Sequence, residues 1–196
     1  MRKYLLPLLL LAACKTGTIE SVENRDEKGH LLEKFDRRKK DFAKEGKYQA
    51  FYPNGTIREE AFYRNDTLTG EQKFFYPGGT CEIVQRRQNG LFEGKYQKFY
   101  ENGTLESEGE YRNNSMTGTW KFNYKNGVLK ELVEFRDNEE NGPFKEYYIN
   151  GVLKAEGAYI NGDNEQGPLK MYDSTGVLIK TMECDSGICH TIWEKK

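Results

Sequence analysis

Gly94-Lys95-Tyr96-Gln97-Lys98-Phe99-Tyr100-Glu101-Asn102-Gly103-Thr104-Leu105 decides the fold, because versions of it recur along nearly the whole chain. Its first glycine returns as Gly46, Gly70, Gly94, Gly118, Gly142 and Gly167, and its second as Gly55, Gly79, Gly103, Gly127, Gly151 and Gly176. Every interval in both series is 24 residues except the last, which is 25. Self-similarity at such a period marks a repeat architecture. The second series sits in Asn54-Gly55, Gly78-Gly79, Asn102-Gly103, Asn126-Gly127, Asn150-Gly151 and Thr175-Gly176, which predicts type I′ hairpin turns. A further turn series lies halfway round each repeat, at Asn65-Asp66, Asn89-Gly90, Asn113-Asn114, Asp137-Asn138 and Asn161-Gly162. The fold class is therefore all-β, an elongated single-sheet antiparallel meander of about six 24-residue β-hairpin repeats.

The register follows from the turns. Pairing across Asn54-Gly55 sets Tyr52 on Ile57, and likewise Tyr100 on Leu105, Tyr124 on Leu129, Tyr148 on Leu153 and Trp120 on Val133, an aromatic and aliphatic face. The alternate positions set Gln49 on Glu60, Gln97 on Glu108, Lys145 on Glu156 and Phe99 on Glu106, a polar face. An even period keeps the faces constant from repeat to repeat, so the 25-residue interval needs an extra residue, expected within residues 162–166. Gly46, Gly94, Gly118 and Gly142 fall opposite Tyr63, Tyr111, Phe135 and Tyr159, aromatics that cover a bare glycine backbone.

Composition narrows the function. With 30 Lys+Arg against 31 Asp+Glu the chain lacks the basic excess of a dedicated nucleic-acid binder. Apolar residues are 36% yet aromatics are 13%, which suits a thin aromatic-faced sheet better than a thick aliphatic core. The two histidines, His30 and His190, remove most histidine-based metal and nucleophile constellations. Asp137 to Tyr148 opens like a calcium loop, but Glu139 and Tyr148 stand where ligands are needed. No cofactor or metal site is expected, and no nucleophile and base pair supports an enzyme.

The N-terminus carries an address. Arg2-Lys3 precede Leu5-Leu6-Pro7-Leu8-Leu9-Leu10-Leu11-Ala12-Ala13, a charged region and a short apolar core read as a signal peptide over 1–13. The segment ends Leu11-Ala12-Ala13-Cys14, which resembles a bacterial lipobox and makes Cys14 the candidate lipidation site. Residues 14–28 read as lipidated cysteine and tether, and 29–45 as an N-terminal partial repeat. Six repeats cover 46–190. Residues 191–196 read as a C-terminal cap strand, with Trp193 placed where Tyr96 and Trp120 fall.

The pattern Gly-x-aromatic-x-x-aromatic-Tyr-x-Asn-Gly-x-Leu with a later Tyr-x-Asn resembles the variant MORN repeats (membrane occupation and recognition nexus). The resemblance runs over 46–190 and implies an elongated antiparallel sheet in secreted or lipid-anchored bacterial proteins, a group often labelled antitoxin-like. No catalytic motif travels with it. Repeat two departs most, with Gln72, Cys81 and Arg87 where other repeats carry aromatics or leucine.

Two further positions stand out. Arg87 falls opposite Phe92 on the aromatic face, where cation–π stacking or a partner would hold it. Cys184 and Cys189 flank the Ser186-Gly187 turn, so the register makes them a non-hydrogen-bonded cross-strand pair suited to a disulfide, and Cys81 stays free. The function expected is a lipid-anchored cell-envelope module, facing the periplasm or the cell surface. It would bind an unknown protein partner through Tyr96, Tyr100, Trp120, Tyr124, Tyr148 and Arg87. The alternatives are binding of envelope carbohydrate by the same rings, and antitoxin-like inhibition of a partner.

Overall fold

A computed structural model describes residues 18–196. The strands are β1 (Ile19–Arg25), β2 (Leu31–Arg38), β3 (Lys44–Phe51), β4 (Ile57–Arg64), β5 (Thr67–Leu68), β6 (Gly70–Phe75), β7 (Cys81–Gln88), β8 (Leu91–Phe99) and β9 (Leu105–Arg112). They continue as β10 (Ser115–Asn123), β11 (Leu129–Arg136), β12 (Glu139–Tyr147), β13 (Leu153–Ile160), β14 (Asn164–Glu165), β15 (Gly167–Tyr172), β16 (Leu178–Asp185) and β17 (Ile188–Glu194). All 17 belong to one antiparallel sheet in which strands pair in chain order, except that β5 and β6 both pair with β4, and β14 and β15 both pair with β13. The all-β meander of hairpin repeats is thus the observed fold. One boundary moves: β1 lies within the expected tether and pairs with β2 from Ile19↔Arg38 to Arg25↔Leu31, so the first hairpin is complete.

The two turn series exchange the chemistry assigned to them. In the midway turns both central residues have positive φ, as at Asn65 (50°) and Asp66 (60°) or Asn113 (50°) and Asn114 (69°), so these are the type I′ turns. In the Asn-Gly turns the glycine alone is left-handed, Gly55 at 85° being typical. There Gly55 N–H donates to the Tyr52 carbonyl at 2.8 Å and Tyr52 N–H to the Thr56 carbonyl at 2.8 Å, a three-residue loop with the glycine in a bulge. The loop shifts the adjacent pairing by one residue, so Ile57 faces Phe51 rather than Tyr52, and Leu105, Leu129 and Leu153 face Phe99, Asn123 and Tyr147. Phe99 accordingly does not face Glu106. Past this bulge the expected register returns, with Gln49↔Glu60, Gln97↔Glu108, Trp120↔Val133, Lys145↔Glu156 and Gly118↔Phe135 all paired. The extra residue of the 25-residue interval lies in the turn, since Ile160↔Asn164 encloses three residues where Arg112↔Ser115 encloses two.

The turns freed by that shift lace the hairpins together. Each turn tyrosine donates its hydroxyl to a backbone carbonyl one hairpin further on: Tyr52 to Phe75 (2.7 Å), and Tyr76 to Phe99, Tyr100 to Asn123, Tyr124 to Tyr147 and Tyr148 to Tyr172 (each 2.8 Å). On the opposite ribbon margin, Asp66, Asn114 and Asn138 accept from the N–H groups of Lys44, Phe92 and Met116 in the strand before. Asp26 and Asp173 occupy the tyrosine position in the first and last such turns and instead accept N–H groups of their own loops.

The core is one row of side chains running across the sheet. Trp120, Val133, Phe144, Leu169 and Cys184 anchor its C-terminal part, and Phe35, Tyr48, Ala50 and Ala61 its N-terminal part. Large residues alternate with gaps: a Cβ at Gly109 would overlap the Trp120 indole, and one at Gly157 would meet Phe144 at 3.0 Å. Residues of flanking rows lean over the row, with Tyr111 edge-on to Trp120 at 5.3 Å and Phe135 at 6.0 Å. Trp120 is only 2% exposed.

Trp193 does not reach this row. It pairs with Thr181 because Thr191 stands where the glycine series would continue, so the two-residue bulge of other strands is missing. It is 45% exposed on the edge strand. Truncating Trp120 to Ala is expected to cost about 3–5 kcal/mol and Lys121→Ala, on the opposite face, less than about 0.5 kcal/mol. Gly109→Ala is expected to be strongly destabilising as well. Urea melts check all three, and equal losses at Trp120 and Lys121 would contradict the face assignment.

Candidate functional site

The residues expected to contact a partner are mostly engaged within the sheet. Trp120 is covered, so the exposed-aromatic reading is corrected at that position; its rings belong to the core. Tyr96 packs against Trp120 at 5.6 Å. Tyr100, Tyr124 and Tyr148 are half-buried and direct their hydroxyls to the carbonyls already described. Arg87 does pair with Phe92, its Cζ 3.4 Å from the ring centroid. It also donates to the Gly90 carbonyl at 3.1 Å and to Gln72 Oε1 at 3.4 Å. Gln72 and Gln85 fill the core row here, Gln85 donating to Gln72 and Gln72 to Glu59, so repeat two is a buried polar segment between the two apolar clusters. Cys184 and Cys189 form a disulfide with Cα atoms 4.0 Å apart, and Cys81 is free. Cys14 lies outside the described residues.

The surface feature that stands apart is on the polar face. One cross-strand position of that face carries Lys47↔Phe62, Glu71↔Arg86, Lys95↔Glu110 and Thr119↔Glu134 in the first four repeats, each pair with at least one charge. The corresponding pair in the fifth repeat is Pro143↔Ala158, with Pro168 beyond it. Proline is tolerated at both places because the strand bulges after its glycine, leaving Pro143 and Pro168 without a ladder partner on one side. The three residues floor a cleft of about 410 Å³ flanked by Lys145, Glu156 and Lys170. Two repeats earlier the same place is lined by Lys95, Glu110 and Thr119 and encloses about 170 Å³. Sequence reasoning passed over the cleft, although Gly142-Pro143 and Gly167-Pro168 were visible as prolines inside strands.

Its electrostatics are simple. Lys145 and Lys170 share one carboxylate, Glu156, at 3.8 and 3.5 Å, which leaves one ammonium charge in excess. The Tyr172 hydroxyl at 2.9 Å, followed by Lys170 and Lys145, holds the Glu156 carboxyl below the usual range, so it is ionised at neutral pH. The cleft offers an apolar floor, a net positive rim and no nucleophile and base pair. Among the described residues there is no group of three metal-ligating side chains.

The MORN repeat variant matches residues 44–65, 92–113, 116–137 and 140–161, four windows in phase with the hairpins. The chain is a MORN-variant repeat protein. The matched windows pass over residues 66–91, where the buried glutamines and Arg87 replace the repeat's apolar residues. The family is a non-catalytic repeat. No curated protein matches the chain.

The opposite face carries a strained charge arrangement. Glu131 and Glu146 are directly paired across β11 and β12, with Glu140 nearby. Burial, then Glu140 and Glu146, pushes the Glu131 carboxyl up, while Lys130 and Lys154 oppose the rise. A carboxyl raised on folding loses stability as pH climbs through its titration, and the penalty persists above it. Glu131→Gln is therefore expected to stabilise the protein at pH 7 by roughly 0.2–1 kcal/mol. The gain should vanish below the ordinary carboxylate range, which urea midpoints at two pH values would read.

Proposed function

We propose that this MORN-variant protein is a lipid-anchored, non-catalytic module of the bacterial cell envelope that binds another protein with the polar face of its ribbon. The observation that carries the reading is the Pro143, Ala158 and Pro168 floor, where the cross-strand pair holds no charge although the same pair in each of the four earlier repeats holds at least one. An exposed apolar cleft rimmed by polar side chains is the usual mark of a contact site. The excess ammonium of Lys145 and Lys170 favours an extended partner segment that sets an apolar side chain beside a carboxylate. Carbohydrate recognition is less well supported, since it calls for free aromatic planes and most rings here are packed or hydrogen-bonded. The antitoxin-like reading draws on the family label alone. Anchoring through Cys14 would hold the ribbon at a membrane without the sheet touching lipid.

The test is site-specific photocrosslinking in intact cells with a probe at Ala158 or, as a control, at Glu110. A discrete protein adduct from Ala158 and none from Glu110 is expected. The same adducts from both positions, or none from Ala158, would sink the assignment of the cleft. Incorporation of labelled fatty acid by the wild type but not by Cys14→Ala checks the anchor separately.

A further inference from the structure

The last strand ends the sheet with an uncovered edge. β17 pairs with β16 through Asp185↔Ile188, Cys184↔Cys189, Glu183↔His190 and Met182↔Thr191, and no strand lies beyond it among the described residues. Asp185↔Ile188 flanks the two-residue turn as the hydrogen-bonded pair, so Ile188 and His190 turn their amides to β16 while Cys189 and Thr191 turn theirs outward. The disulfide holds this hairpin in register.

The two edges of the sheet differ. β1 is guarded by charge, with Glu20 paired to Arg37 at 2.8 Å and Glu23 to Arg25 at 2.8 Å and Lys34 at 3.1 Å. β17 is apolar and uncovered, with Ile188 66% and Ile192 65% exposed beside Trp193. Its guards are confined to the far end, a one-residue shift near Ile192 and the charges of Glu194, Lys195 and Lys196, and leave Ile188 to Thr191 without a charged residue. Asp173 replaces the tyrosine whose hydroxyl would bond the end of β17, as Tyr148 bonds the end of β15, so this margin of the last strand carries no such link.

Charge supplies the alternative. Glu183 and Asp185 at one end of the last hairpin, and Lys195 and Lys196 at the other, form no ion pair among the described residues. The second end also holds Glu194, which faces Lys180 across the ladder, so with Lys195 and Lys196 it stays net positive, and an antiparallel copy of the same hairpin brings each acidic end beside the other's basic end. We propose that β17 is an association edge on which a second copy of this chain adds its own β17 antiparallel, joining two ribbons into one continuous sheet about a two-fold axis. Such a contact is self-complementary and closes at two copies, because each edge is used once.

Sedimentation of the full chain in density-matched detergent tests this, with Thr191→Pro and Ile192→Lys as variants. Thr191→Pro removes an outward N–H without touching the ladder to β16, and Ile192→Lys puts a charge on the edge. Wild type should sediment at twice the monomer mass, and both variants as monomers with wild-type urea midpoints. If the proline variant does not fold, the lysine variant decides alone. A wild type that is monomeric at its highest soluble concentration, or a dimer that survives Ile192→Lys, overturns the proposal.

Discussion

One bond, repeated, holds this molecule together as a ribbon: the phenol of a turn tyrosine donating to a backbone carbonyl of the next hairpin. A two-stranded hairpin is marginal alone, and a single-layer sheet has no second layer to press its hairpins into line. The links from Tyr52, Tyr76, Tyr100, Tyr124 and Tyr148 supply that alignment at one margin, and the type I′ turns supply it at the other. Each neutral hydrogen bond contributes only about 1 kcal/mol, but their regular spacing lets one hairpin's order support its neighbour's. The acids that replace tyrosine at Asp26 and Asp173 mark where this support stops.

With the margins fixed, the centre of the ribbon is free to vary. The core row runs from aromatic and aliphatic residues through the Gln72, Gln85 and Arg87 segment and back to apolar packing around Trp120. Buried amides tolerate this position because each has a partner, in a chain that ends on Glu59 and on the Phe92 ring. The polar face varies in the same way, its charged pairs giving way to prolines where strand bulges already lack ladder bonds. Local chemistry can thus change at one repeat without disturbing the register of the next.

Much of this was legible in the sequence, and the limits were local. The 24-residue period and the glycine to aromatic pairing placed Gly94 on Tyr111, Trp120 on Val133, Arg87 on Phe92 and Cys184 on Cys189. Pairs beside the Asn-Gly turns were misplaced by one residue, because a dipeptide does not tell a two-residue loop from a three-residue loop whose last residue is glycine. That same slip hid the ladder, since it aimed the tyrosines at cross-strand leucines instead of the next hairpin. β1 was read as tether because its charged sequence lacks the repeat's glycines, and Trp193 was misplaced because Thr191 brings no bulge. The cleft was missed since it needs two prolines 25 residues apart to be seen as neighbours in space.

Native-state hydrogen exchange on Tyr124→Phe tests the central claim most directly. The change removes one hydroxyl and leaves the ring. If the ladder couples hairpins, amides should lose protection by about fivefold both in β10 and β11, which carry the tyrosine, and in β12 and β13, which receive its bond. Loss confined to the turn around Tyr124, with β12 and β13 unchanged, would show that each hairpin stands by its own packing and that the ladder is incidental.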